Sequence, residues 1–324
     1  MSRTPLFRRT LPLLLAAAVM GAAAPVVSAA SPEAVAGPAD AGFYRMKLGA
    51  FTVVALSDGG FDLPTDKLLV EDRPGQVQKL LGQAGLPTAV PSSVNGYLVD
   101  TGSKRVLIDA GSGALLGPSL GKLLAHLRAA GYAPEQIDEV LLTHLHPDHV
   151  GGLVANGQAA FPKAIIRADR REAKFWLDKS NLGKVDASVQ GAFDGAAASL
   201  KPYLDRGRFK PFAAGERIEP GISALNLDGH TPGHTEFRVE SQGRTLLVWG
   251  DVVHVAAVQF ADPKVTIHFD SAPREAEAHR EQAFRDAAQK GYLVAAAHIA
   301  FPGIGHVKRE GAGYAWQPVT TAAP

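Results

Sequence analysis

The stretch Thr143-His144-Leu145-His146-Pro147-Asp148-His149 places four potential metal ligands within six consecutive residues. Imidazole nitrogen and carboxylate oxygen suit a borderline cation such as Zn²⁺. Buried without such a partner, these side chains are costly for a fold to keep. The segment Ile137–Leu142, apolar apart from Asp138 and Glu139, enters the cluster and reads as a buried strand. His144 and His146 are two apart, so at a strand end they face the same side. Pro147 stops the strand, and the turn that follows returns Asp148 and His149 toward the same point. One loop can therefore serve two neighbouring ions. A histidine-rich surface loop without metal is the plainer alternative, and the later His and Asp positions weigh against it.

Cysteine is absent from the 324 residues. Disulfides, thiolate ligands and a Cys nucleophile are excluded, so a metal site here is built from His and carboxylate. Thirty-three basic and 32 acidic residues are interspersed and leave a formal net charge of +1. That gives no electrostatic case for nucleic acid or an anionic membrane as partner. At the N-terminus, Arg3, Arg8 and Arg9 precede the apolar run Leu11–Ala24, and the small residues Ser28, Ala29 and Ala30 follow. This order is that of a secretory signal peptide over 1–30, cleaved near Ala29 or Ala30. The expected location is periplasmic or secreted, with no membrane anchor after cleavage; Arg8-Arg9 hints at twin-arginine export. Residues 31–42 read as a flexible mature N-terminus outside the fold.

From Phe43 onward strands and helices mix. Tyr44–Leu48 with Phe51–Leu56, and Asn95–Val99 with Arg105–Ile108, read as hairpins. Leu120, Leu123, Leu124 and Leu127 form one face of a helix that Gly131 ends. Ala164–Ile166 reads as a strand and is followed by a helix through Phe175–Leu177. A second helix is expected over Ala192–Leu204. Strands return at Ile222–Leu227, Phe237–Val239 and Thr245–Val248, and a charged helix over Pro273–Gln289 precedes the strand Tyr292–Ala297. The pattern argues for a layered α/β sandwich in one domain, residues 43–324.

Three later segments carry further His and Asp residues just past these strands. They are Asp228-Gly229-His230-Thr231-Pro232-Gly233-His234, Trp249-Gly250-Asp251, and Ala297-His298. Singly, each could be a capping Asp or a hydrogen-bonded His. Together they are ligand-bearing loops at strand ends, where sites in sheet proteins usually form.

The order HxHxDH, GHTPGH, GD and a late His after a strand resembles the metallo-β-lactamase superfamily from about Phe43 to the end. The resemblance implies a four-layer αβ/βα sandwich holding two divalent ions, Zn by default with Mn, Co or Fe as options. One ion would be held by His144, His146 and His230, and the other by Asp148, His149 and His298. Asp251 and a hydroxide would bridge the two, Asp148 would help steer the hydroxide, and His234 would stand behind the ligands.

Within the superfamily, YRMKLGAFTVVALSDG, GYLVDTGSKRVLID, AAGYAPEQIDEVLLTHLHPDHVGGL, VAAVQF and FPGIGH resemble the methyl parathion hydrolases. Those are secreted enzymes that cleave phosphotriesters and whose relatives open lactones and aryl esters. The resemblance implies a small apolar ester as substrate and, by analogy, a homodimer. It also implies pocket walls at Trp176 and Phe193, with Leu116 in place of a third aromatic and His254 in place of an aliphatic residue. Read without it, Trp176 and Phe193 fit ordinary helix-face core packing, and His254 fits a hydrogen-bonded strand-edge histidine. Thioester hydrolysis of the glyoxalase II kind and a non-catalytic metal protein are the competing functions.

Overall fold

The computed structural model describes residues 41–320, the strand Ala34–Val35 and the first two residues. Apart from Met1 and Ser2, the expected export signal lies outside them. Two seven-stranded sheets carry the fold. The first holds β1 (Ala34–Val35), β2 (Phe43–Leu48), β3 (Phe51–Pro64), β4 (Ala89–Asp100), β5 (Arg105–Ile108), β6 (Glu139–Leu141) and β7 (Ile165–Arg167). The second holds β8 (Arg217–Glu219), β9 (Ile222–Asn226), β10 (Thr235–Ser241), β11 (Arg244–Val248), β12 (Leu293–Ala295), β13 (Ile304–Glu310) and β14 (Gly313–Pro318). Within each sheet the strands lie side by side in chain order. Only β5–β6, β6–β7 and β11–β12 pair in parallel. Such pairs need a crossover, and α2 (Leu123–Ala129) and α6 (Pro273–Lys290) supply two of them. The other helices used below are α1 (Gln76–Gln83), α3 (Pro147–Val150), α4 (Arg170–Trp176) and α5 (Ala192–Leu204).

The period of two along each strand sorts its side chains between two cores. Val53, Ala55, Val106 and Ile108 of the first sheet meet Ile222, Phe237, Leu246 and Val248 of the second in a core between the sheets. Their alternates Val54, Leu56 and Leu107 pack outward against Leu123 and Leu127 of α2 and against Phe193, Ala196 and Leu200 of α5. On the far side Leu247, Trp249 and Val294 pack on Ala283, Phe284 and Ala287 of α6. Helix, sheet, sheet, helix is the four-layer αβ/βα sandwich. Both faces of the inner strands are buried, which explains why Val140, Leu141 and Leu142 are apolar in succession rather than in alternation.

Three differences from the sequence reading have local causes. Ala34 and Val35, expected outside the fold, pair with Met46 and Arg45 at the open edge of β2. Leu120, read as the first apolar position of a helix, is buried within a glycine-rich loop, and α2 starts at Leu123. The hairpin β13–β14 had no strong turn signal; its amphipathic pattern covers the edge of the second sheet. No described helix is long and apolar enough to cross a membrane.

Candidate metal centre

The ligand-type residues converge at one edge of both sheets. His144 and His146 follow β6, and Asp148 and His149 sit on the single turn α3, which Pro147 opens at its first position. His230 follows β9, Asp251 follows β11 and His298 follows β12. Two groups form, each with one ligand atom per residue and all atoms of a group within 4.8 Å of one another. His144, His146, His230 and Asp251 make the first; Asp148, His149, Asp251 and His298 make the second. Asp251 belongs to both. Its Oδ2 lies 3.7 Å from His144 Nε2, 3.4 Å from His230 Nε2 and 3.0 Å from His298 Nε2, while Oδ1 lies 3.1 Å from His149 Nε2.

Hydrogen bonds on the outer nitrogens turn the rings inward. His149 Nδ1 is 2.9 Å from Asp109 Oδ2, His230 Nδ1 is 2.8 Å from Asp270 Oδ1, and His298 Nδ1 is 2.9 Å from the Ser93 carbonyl. His144 Nδ1 is 3.0 Å from Thr143 Oγ1, which itself donates to Asp109 at 2.8 Å. Each Nδ1–H donated outward leaves Nε2 with a bare lone pair facing the centre. His146 instead presents Nδ1, 3.2 Å from His230 Nε2. The buried Nε2 atoms of His144 and His149, and Oδ1 of Asp251, have no hydrogen-bond partner. Buried polar atoms are rarely left so, and lone pairs converging from two loops on one carboxylate are the donor set a cation requires. The residues fit two divalent ions, with nitrogen and oxygen donors appropriate to Zn²⁺.

The electrostatics differ across the site. Burial, reinforced by neighbouring imidazoles, holds His144 and His146 well below the usual histidine range. Burial also disfavours charge on His149 and His298, but Asp251 and Asp148 outweigh it and raise both. His230 is raised to about 9, because its bonds to Asp251 and Asp270 overcome burial. Burial would raise Asp251, yet the imidazoles around it hold it well below the carboxylate range.

A cavity of about 710 Å³ opens over this floor, with His146, Asp148, Asp251, His254 and His298 at its base. Phe61, Leu115, Leu116, Leu120, Val189 and Phe269 form its apolar wall. No lysine or arginine lines it among the described residues. Leu116, 46% exposed, and the buried His254 are in the lining. His254 Nε2 is 3.2 Å from Asp251 Oδ2, and its ring stacks on His298.

Trp176 and Phe193 require a correction, because neither faces the cavity. Both are buried in the core between helices and sheet, 4.7 Å apart by ring centroid, with Trp176 edge-on behind His146 at 5.0 Å. Toward the cavity stand Gly191, just before α5, and Ala192, Asp194, Gly195 and Ala198 of α5. His234 stands behind the ligands: Nδ1 faces the Leu227 carbonyl at 3.1 Å and Nε2 accepts from Asp251 N–H at 3.0 Å.

Sequence reasoning missed the supports. Asp109 accepts from Thr143 N, Thr143 Oγ1 and His149, and it does so from a left-handed φ of 59°. That conformation costs a non-glycine residue of order 1 kcal/mol. Three hydrogen bonds hold it. Asp270, which supports His230, is itself faced by buried Arg280 at 3.6 Å. Glu172, wholly buried in α4, accepts from Leu145 N and Gly233 N and so ties together the two loops of the first group. The faint signal for Asp109 was its place directly after the strand Arg105–Ile108.

The family model described as "Metallo-beta-lactamase superfamily" matches residues 89–298. Among solved structures, hydrolase AbOPH, described as in the beta lactamase superfamily, is 36% identical with a TM-score of 0.81, over 86% of this chain and 98% of that one. AidC, a dizinc quorum-quenching lactonase, superposes with a TM-score of 0.80 at 24% identity over the same shares, a likeness of fold. Curated relatives match over shorter stretches. The ribonuclease TTHA0252 of Thermus thermophilus is 29% identical over 187 residues, 56% of this chain and 40% of the relative. An N-acyl homoserine lactonase of a Bacillus species is 28% identical over 116 residues, 36% of this chain and 38% of the relative. The chain thus spans well under two thirds of these relatives' lengths. The matched family model, the sandwich and the two groups around Asp251 together make this chain a member of the metallo-beta-lactamase superfamily.

Proposed function

We propose that the protein is a binuclear metal-dependent hydrolase of neutral esters: aryl phosphotriesters, aryl esters and acyl-homoserine lactones. The observation that carries this reading is the shared carboxylate of Asp251 beneath an apolar cavity with no cationic wall. His144, His146 and His230 would hold one ion, Asp148, His149 and His298 the other, and Asp251 both. Ions held there would supply a water acidified to near neutral pH and charge stabilisation for the attacked ester. Asp251, the one residue common to both groups, would hold both ions. Asp148, whose side chain is 14% exposed at the cavity base, is placed to accept a hydrogen bond from the attacking water and orient it. Asp109, Asp270 and the Ser93 carbonyl hold the Nδ1 side of His149, His230 and His298 and so aim each Nε2 at the centre.

The wall of Phe61, Leu115, Leu116 and Phe269 favours apolar groups and excludes water around them. An anionic thioester conjugate, the substrate class of the glyoxalase II alternative, would find no lysine or arginine in the lining. The AbOPH likeness and the lactonase relative support ester hydrolysis, and the resemblance to methyl parathion hydrolases supports the phosphotriester class. The order of residues over 1–30 supports export, with a mature N-terminus near Ser31 that sequencing of the secreted protein would test. The same resemblance supports a homodimer in solution.

The test is metal quantification together with turnover of an aryl phosphotriester, an aryl ester and an acyl-homoserine lactone. Two ions per chain and turnover of at least one substrate are expected. Two ions bound and turnover of none would overturn the reading.

A further inference from the structure

We infer that Asp58 is a positioning residue: it clamps both ends of the loop 112–121 and thereby sets the apolar wall of the cavity. The inference rests on the reading of that cavity as the substrate site. Asp58 is a buried acid in β3, outside both ligand groups and unused by the chemistry above. Its Oδ2 accepts from Ser112 N at 2.9 Å, Ser112 Oγ at 2.7 Å and Gly121 N at 2.9 Å, and its Oδ1 from Leu123 N at 3.1 Å. Its backbone carbonyl takes Lys122 N at 3.0 Å. A carboxylate only accepts, and with three donors on Oδ2 and one on Oδ1 both of its oxygens are engaged. An amide of the same size could not accept them all.

The chain between the two clamped ends carries Leu115, Leu116 and Leu120 into the cavity wall. Leu115 and Leu116 are exposed, so core packing does not fix the tip. The ends must fix it. They also rest on the turn that carries Asp148 and His149. Ala110 N donates to the His149 carbonyl at 2.8 Å, and Gly152 N to the Gly111 carbonyl at 2.9 Å. A Cβ on Gly151 or Gly152 would fall on the carbonyls of Ser112 and Ala110, so only glycine lets the two backbones approach so closely. Asp58 thus registers the apolar wall against the ligand floor without touching either. A shift of the loop changes how an apolar group seats over the centre and leaves the ligands in place.

The experiment compares metal-loaded wild type and Asp58→Asn by amide hydrogen exchange, metal content, and kcat and KM for a short-chain and a long-chain ester. Exchange at Ser112, Gly121 and Leu123 should quicken on the order of tenfold or more, while Thr143 and Gly233 keep their protection. KM for the long-chain ester should rise about tenfold, with kcat within about twofold and two ions retained. Ser112→Ala, which deletes one of the four donors, should move the same amides and the same KM by less, and it serves if Asp58→Asn fails to fold. Unchanged exchange at those amides would overturn the inference, as would a fall in kcat with lost metal at constant KM. If wild type hydrolyses none of the ester panel, the reading of the cavity falls, and the exchange arm alone decides whether Asp58 clamps the loop.

Discussion

The two ligand groups share Asp251 but differ in surroundings and in charge. The first has three histidines, is buried throughout, and is backed by Trp176 behind His146 and by Asp270 behind His230. The second trades one imidazole for Asp148, which opens to the cavity, and its two histidines lie in a field of carboxylates. A closed nitrogen-rich site suits tight retention of an ion, whereas an open site with a carboxylate suits contact with water and substrate. On the proposed function, the first group would anchor an ion and the second would meet water and substrate.

The strongest way to break that division is to attack what both groups share. Asp251→Asn should leave at most one ion bound and lower kcat on the order of 10³-fold, the scale of losing a principal electrostatic stabiliser. Full metal content and rate in that variant would mean that Asp251 does not bridge. One step smaller, Asp270→Asn and Asp109→Asn should each weaken metal binding about 10–100-fold. The first should act on the His230 group, and the second mainly on the His149 group and more weakly, through Thr143, on His144, as stepwise metal titration would resolve. Equal loss at both steps from either variant would erase the distinction.

Proton competition sharpens it further. The raised pKa values of His149 and His298 mean that the metal-free fold binds protons there more tightly than the unfolded chain does. Their contribution to metal-free stability is full below the unfolded value of about 6.5 and is lost as pH rises through the folded values. A cation must displace those protons, so affinity should climb by up to about tenfold per pH unit for each proton displaced, with two such histidines in the second group against His230 alone in the first. The gap in Tm between metal-loaded and metal-free protein should accordingly widen from pH 6 to 9. The smallest effect lies in the wall: Leu116→Ala should change KM for apolar esters by a few-fold with metal content intact. Trp176→Ala, by contrast, should cost about 3–5 kcal/mol of stability, because its ring is core. Chemical denaturation of the two variants side by side measures that difference.

The ligand loops were legible because each couples a strand pattern to a rare residue immediately after it. A strand end fixes direction, and His or Asp there has few other uses. The supports were less legible. Asp270 and Ser93 lie far in the chain from the histidines they serve, and a lone Asp or a backbone carbonyl has no pattern of its own. Trp176 and Phe193 mark a different limit: apolar residues on a helix face read alike whether that face meets a core or a cavity. Tertiary packing put the small residues of α5 toward the cavity and the large ones toward the sheet. The sandwich itself was readable from the alternation of apolar runs. The depth to which β3 and β4 extend, to Pro64 and from Ala89, was not, because polar and glycine residues interrupt both strands.

The placement of the ligands on loops from both sheets has a mechanical consequence. His144, His146, Asp148 and His149 belong to the first sheet's connections, while His230, Asp251 and His298 belong to the second's. An ion in either group is a rivet between the halves of the sandwich, joining chain segments that lie far apart in sequence. Because only the folded chain assembles either group, such ions would stabilise the fold by mass action. The same ions that serve chemistry would then seal one edge of the sandwich, and a chelator would unfasten the two sheets there before it loosened the core between them.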